Sequence, residues 1–394
     1  MKRLFLIQFL ALFTAAQNAT VSIPSLYAYN LPNPVQGNIT QDFVDTPVND
    51  PTISALLSKA QSAPFIAYDP EFISILGTNA SLQLAAQRPN AFAEEAGVWV
   101  PNRNEVWFTG EQAANGASVY VLSLSDNTVY TPNTSIPIPQ ANGGYYFNGT
   151  VYITSAGNGN TTAPGIYAIN PDTKETSLVI NSYFGVPLNG PDDMTWVKKG
   201  NRTYMYFTDP PLSQFYAGGP PAQLPDTTWR FSPDDGSIVP AVSRGDVLVP
   251  NGIRVNAEQT KVFITDTPEV IPGVSNAVGS WASNAIYIYD IDEYGFLGNK
   301  RMFGLTRNGI SDGIHIDDAG RVWTAETEGV VVRNVRGKVI GLFNNQAITG
   351  NATLVIENFA LAGDTLVILD RQIIWTLKLA ETVITAERCN EVGC

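Results

Sequence analysis

A short unit that repeats along this chain limits its fold more than any other feature. It is clearest in the stretch 309–332, GISDGIHIDDAGRVWTAETEGVVV. Asp312 precedes a strand-like run over 314–317. A polar turn at 318–320 follows, then a second strand over 321–324 and a third over 329–333. Strand, tight turn, strand, short loop, strand is an antiparallel meander. The order recurs with Asn251 ahead of 253–255 and 261–266, with Asp192 ahead of 203–209, and with Glu95 ahead of 96–100 and 105–109.

Asp192, Asn251 and Asp312 lie roughly 60 residues apart, and Glu95 stands somewhat under two such periods before Asp192. Weaker copies beginning at Tyr145 and at Asn358 fill the gaps. Six units of about four strands each predict an all-β fold, a six-bladed β-propeller with four antiparallel strands per blade. Innermost strands that start at one end of a central channel would bring Glu95, Asp192, Asn251 and Asp312 into one volume. Each alone is ordinary turn chemistry. As a set, oxygen donors from four blades suit a hard cation in a central metal site, and calcium best matches a loose all-oxygen shell. Buried together, carboxylates of one sign need such a cation.

The length, with 44% hydrophobic and 15% charged residues, suits a globular chain with a sizeable core. A net charge of −13 argues against nucleic acid and anionic membrane surfaces as partners and is also what keeps an extracellular protein soluble. Residues 1–16 carry a basic start, a short apolar run and small residues, and predict a signal peptide; the run is too short to span a bilayer. Eight sequons, at Asn18, Asn38, Asn79, Asn133, Asn148, Asn160, Asn201 and Asn351, agree with secretion and glycosylation. The two cysteines, Cys389 and Cys394, predict a disulfide loop in a tail over 389–394.

Residues 17–63 read as an extended N-terminal arm, and the propeller as 64–388. The strand and short helix predicted over 65–77 are the candidate for closing the last blade. Two long loops, 209–226 and 266–284, follow the second strands of their blades and are candidates for a pocket wall or lid. The single histidine, His315, lies within a predicted strand, no G-x-S-x-G elbow exists, and a structural role suits it. Fingerprints for dinucleotides or phosphates are missing.

Over roughly 64–379 the chain resembles the gluconolactonase and regucalcin (senescence marker protein) family of six-bladed propellers, in its secreted fungal lactonohydrolase-like branch. The resemblance is carried by FIAYDPEFISILG at 65–77, by Glu95-Ala96-Gly97-Val98-Trp99, by Asn189-Gly190-Pro191-Asp192-Asp193, similar to an N-S-P-N-D motif, and by Pro250-Asn251-Gly252 and Asp312-Gly313-Ile314. It implies a divalent metal, usually calcium, held by Glu95, Asp192, Asn251 and Asp312, with Asn189 at a substrate-contacting position. Asp192 departs from the pattern, standing where the motif carries a neutral Asn, and makes the site more negative.

The resemblance implies calcium-dependent hydrolysis of a small lactone, with Asp312 as first candidate for the base that activates water and Asp192 as second. Trp99 is a candidate for the pocket wall. Two alternatives remain open at this stage. One is a non-hydrolytic cyclase of fungal natural-product biosynthesis, of the hetero-Diels-Alderase type, which Phe215, Tyr216 and Trp281 on the long loops would suit. The other is a calcium- or ligand-binding propeller without catalysis. In each case the expected partner is a small molecule.

Overall fold

Each repeat folds on itself because its turns are too short for any other pairing. Asp317 accepts hydrogen bonds from the amides of Ala319 and Arg321, and His315 then stands opposite Trp323 across the ladder. The computed structural model describes residues 20–32, 37–111, 118–268, 271, 284–350 and 355–392. They form six blade sheets around a channel and, apart from these, a two-stranded hairpin of Ser182–Tyr183 and Val186–Pro187. Four blades have four strands, starting on the inside with Glu95–Val100, Ala141–Phe147, Met194–Lys199 and Pro250–Val255. The fifth, from Ser311–Ile316 out to Val339–Asn344, gains two more, Phe65–Ala67 and Thr20–Ser22. The sixth has three, Asn358–Asp370, Ile373–Val383 and Leu82–Gln87.

The closure therefore differs from expectation. Phe65–Ala67 widens the fifth blade, and it is Leu82–Gln87 that pairs with Ile373–Val383 and ties the start of the propeller to its end. The helix Pro70–Leu76, capped by Asp69 accepting from the Glu71 amide at 3.0 Å, links the two strands. Its Phe72 lies over Gly341, where an added Cβ would stand 2.0 Å from the ring, and edge-on to Phe343 at 5.3 Å. Full burial of one such ring stabilises by about 1.5–3 kcal/mol.

The segment ahead of the propeller is not simply extended. Pro51–Gln61 is a helix, capped by Asp50 accepting from the amides of Thr52 and Ile53 at 2.9 and 3.0 Å. Its Ile53, Leu57 and Ala60 pack with Phe43 and Val44 against Val331 and Leu342 of the fifth blade. The C-terminal residues likewise form a helix, Ala386–Val392, which runs into the tail read as a disulfide loop. Cys389 on it is disulfide-bonded; its expected partner Cys394 lies outside the described residues. So do residues 1–16, Asn18, Asn351 and Trp281. The sequon asparagines Asn38, Asn79, Asn133, Asn148, Asn160 and Asn201 are all exposed. No helix among the described residues is long and apolar enough to cross a membrane.

Candidate active site

Six polar residues stand at or just ahead of the start of the six innermost strands: Glu95, Asn142, Asp192, Asn251, Asp312 and Asn358. In four of these strands the ladder slips at this point, between Glu95 and Val98, Ala141 and Gly144, Pro250 and Ile253, and Ser311 and Ile314. Such bulges re-aim the side chain at a strand's end.

A staple ties each of the first four blades to the next. Threonines near the end of the second strands reach across to the backbone carbonyl of the following ring residue. Thr109 Oγ1 donates to Asn142 O at 2.9 Å, Thr154 to Asp192 O at 2.5 Å, Thr208 to Asn251 O at 2.6 Å and Thr265 to Asp312 O at 3.2 Å. Glycine follows the ring residue where backbones touch. A Cβ at Gly143 would lie 2.3 Å from Asp192 O, and one at Gly252 2.2 Å from Asp312 O. This close approach is the physical content of these two Asn-Gly steps in the sequence; at Asp312-Gly313 a Cβ would instead stand 2.5 Å from the Asn358 side chain.

The side chains meet as well. Asn142 Nδ2 donates to Asp192 Oδ1 at 2.5 Å, and Asn358 Nδ2 to Glu95 Oε2 at 3.0 Å. Asp312, only 6% exposed, has a carboxylate that accepts no hydrogen bond among the described residues. Burial raises the pKa of all three carboxyls, and nearby carboxylates raise them further: Glu94 and Asp193 beside Glu95, Glu95 and Asp193 beside Asp192, and Glu95 and Asp192 beside Asp312. Glu95 is pushed up to about 8, and Asp192 and Asp312 rise well above the usual carboxylate range. Among the described residues none of the three forms a salt bridge. Neighbouring carboxylates do: Asp193 with Arg254 at 2.8 Å, and Glu94 and Glu357 with Arg371 at 2.8 and 3.3 Å.

The donor set is thus all oxygen, negative and short of cations, which is the chemistry a divalent ion satisfies. Among the described residues no three His, Cys, Asp or Glu side chains are grouped as a metal cluster. The ring mixes carboxylates with the amides of Asn142, Asn251 and Asn358 and is not a closed carboxylate cage. Asn142 and Asn358 were missing from the expected ligand set.

Asn189 and Trp99 part company. Asn189 is buried and lines a cavity beside the ring. Trp99 packs between the first and sixth blades, against Ala360, Ala362 and Val367. It is the fifth residue of Glu95–Val100, about 13 Å along the strand from Glu95, and packs in the seam between these blades. His315 is buried, with Nε2 3.0 Å from Phe359 O. Burial, and then the charge of Arg254, hold its pKa well below the usual value, so the imidazole is neutral.

Asp209 anchors the segment ahead of Asp192. Its carboxyl accepts from the amides of Asn189 and Gly190 at 3.1 and 2.9 Å and from the Trp229 indole at 3.1 Å. Burial outweighs these donors and pushes its pKa from 3.8 to about 7. The folded state then holds a proton that the unfolded chain releases, so this group's contribution to stability is fully present below about pH 4 and is lost as pH rises through about 7. Asp209→Asn should flatten the fall of unfolding free energy over that window by up to about 1.4 kcal/mol per pH unit, read by urea titration at several pH values. An unchanged slope would show that Asp209 is ionised throughout.

Residues 94–355 match the family model described as SMP-30/Gluconolactonase/LRE-like region. The chain is 27% identical over 337 residues to the lactonohydrolase oryL of Aspergillus oryzae, covering 80% of this chain and 72% of that protein. It is 25% identical over 325 residues to a gluconolactonase of Zymomonas mobilis, covering 76% and 82%. Among solved structures, a gluconolactonase of Xanthomonas campestris aligns with a TM-score of 0.62 at 21% identity over 79% of this chain and 94% of that one. A calcium-binding protein, regucalcin, of Agrobacterium tumefaciens aligns with a TM-score of 0.51 at 15% identity over 76% and 93%. At such identities the structural likeness speaks for the fold alone.

Proposed function

Because this chain belongs to the SMP-30/gluconolactonase/LRE-like family, we propose that it hydrolyses a lactone at the six-residue ring, with a divalent cation, calcium, held by Glu95, Asp192, Asn251 and Asp312. The observation that carries this reading is Asp312. Of the three ring carboxylates it alone has both oxygens free of hydrogen bonds among the described residues, while Asp192 and Glu95 are each tethered by an asparagine. A bound cation supplies Lewis acidity at the ester carbonyl and offsets the negative charge of the ring.

The chain's own residues supply the rest. Asp312 accepts the proton of the attacking water, through a carboxylate oxygen that no hydrogen-bond donor among the described residues occupies. Asp192 is the second candidate, with one oxygen already committed to Asn142. Asn251, held through its carbonyl by Thr208, contributes a neutral oxygen donor. The naming of oryL and of the Zymomonas protein supports the reaction class, and the all-oxygen donor set supports the choice of ion. Secretion and glycosylation remain part of this proposal, supported by the exposure of the six described sequons.

The test is acid release by the purified protein from a panel of aldono- and pantoyl-type lactones, with calcium and after chelation. Turnover that chelation lowers at least a hundredfold, and calcium restores, is expected. No turnover on any lactone with metal demonstrably bound would sink the hydrolase reading.

A further inference from the structure

The four threonine staples join the first five blades. The sixth, where the end of the propeller meets its start, is held by other bonds. On one side Gly313 N donates to Glu357 O at 3.0 Å. On the other the amides of Phe92 and Ala93 donate to Arg371 O at 2.8 and 3.0 Å.

Arg371 sits in the turn between Asp370 and Ile373, which pair across the ladder. Its backbone is left-handed, with φ 48°, a conformation that Gly, Asn or Asp adopts at less cost. Such strain persists where the surrounding structure or a function requires the residue. The side chain grips three carboxylates. Nη1 donates to Glu94 Oε1 at 2.8 Å and to Glu357 Oε1 at 3.3 Å, and Nη2 to Glu111 Oε1 at 2.8 Å.

Glu94 and Glu357 stand directly ahead of Glu95 and Asn358, the ring residues of the first and sixth blades. Those two are joined in turn, with Asn358 Nδ2 donating to Glu95 Oε2 at 3.0 Å. One guanidinium nitrogen therefore holds both strands a single residue before the ring. Beyond Glu95 the first strand is irregular: Ala96 and Gly97 are both left-handed, with φ 74° and 63°, and the ladder slips between Glu95 and Val98. The aim of the Glu95 carboxylate thus rests on what holds the chain ahead of it.

Resting on the cation site proposed above, we infer that Arg371 positions Glu95 toward the cation, acting through Glu94 and, by way of Glu357 and Asn358, through the tether on Glu95 Oε2. Its charge alone would do the opposite, because a cation beside the ring repels a second one. Geometry and charge therefore predict effects of opposite sign.

Two variants separate them. Arg371→Asn suits the left-handed turn and removes the guanidinium, whereas Arg371→Lys keeps the charge and gives up the planar fork that spans two carboxylates. Calcium is titrated calorimetrically into the full chain and into each variant. Terbium, an ion of similar size and the same preference for oxygen, reports its bound waters through its luminescence lifetimes in H2O and D2O. Arg371→Asn is expected to bind calcium about tenfold more weakly, the range for losing a group that orients a ligand, although the surroundings of the ring have become more negative. Terbium bound to it should carry about one more water as Glu95 withdraws. Arg371→Lys should shift both readouts in the same direction, and it decides by itself if Arg371→Asn does not fold. Calcium affinity that is unchanged or higher in Arg371→Asn, or an Arg371→Lys that matches the unaltered protein in both readouts, would reduce Arg371 to a charge and overturn the positioning role. An unaltered protein that binds neither ion overturns it together with the cation site. Both shifts in a protein that turns over no lactone would retain the positioning role and reject only the hydrolase reading.

Discussion

Arg254→Ala is expected to destabilise the protein by about 3–5 kcal/mol, the cost of stranding a buried charge. Arg254 is 2% exposed inside the channel. Its Nη1 donates to both oxygens of Asp193 at 2.8 Å, to Met194 O at 2.7 Å and to Ile253 O at 2.9 Å, and Nη2 donates to Gly144 O at 3.1 Å. The guanidinium carbon lies 5.3 Å from the centre of the Tyr145 ring. Nε stands 3.5 Å from Glu387 on the C-terminal helix, an ion pair but not a hydrogen bond, since Nε has no hydrogen-bond partner. One side chain thus joins three consecutive blades to the helix. Its loss leaves Asp193 buried without a cation, together with carbonyls that water cannot reach.

The control is the double variant Arg254→Met with Asp193→Asn, which removes both charges and keeps most of the volume. It should recover more than half of the loss, because a buried pair contributes little beyond its own desolvation, whereas half a pair is costly. Urea unfolding of the single and double variants measures both. A loss below about 1 kcal/mol for Arg254→Ala would mean that water enters the channel and that Asp193 is solvated.

The sequence and the structure agree where local chemistry and position coincide. Pro250-Asn251-Gly252 and Asp312-Gly313 were legible because each stands one period from the other, just ahead of a clear strand. Asn142 shares this Asn-Gly step, yet its repeat was placed three residues late, at Tyr145, because the bulge at Ala141 pushes the regular ladder downstream. Asn358 is followed by Phe, so only the period pointed to it. The threonine staples read as ordinary strand formers, since each partner sits in the next blade. Arg254 read as one more charge in a repeat, because nothing local shows that its strand faces the channel. Closure went to Phe65–Ala67 on its β-forming residues. The true closing strand, Leu82–Gln87, has no β-branched residue and only Leu82 buried, so the ladder to Ile373–Val383 overrides its propensity.

Activity and stability should move in opposite directions at Asp312. Asp312→Asn is expected to lower kcat/KM on any lactone that the protein hydrolyses by about 100-fold or more, the range for a lost general base. In chelated protein the same change should raise the unfolding free energy, because it removes a buried charge that faces Glu95, Asp192 and Glu357. The sign follows from the raised pKa. A carboxyl that holds its proton more tightly folded than unfolded contributes most to stability below the ordinary carboxylate range near pH 4 and loses that contribution as pH rises. The metal-free protein should therefore weaken toward alkaline pH, and Asp312→Asn should weaken less. Asp192→Asn serves as the comparison. The new amide oxygen still accepts from Asn142, so its loss of kcat/KM should stay within about tenfold. If Asp312→Asn instead lowers the melting temperature in chelator along with activity, its carboxylate holds the channel mouth together, and the base must be sought at Asp192.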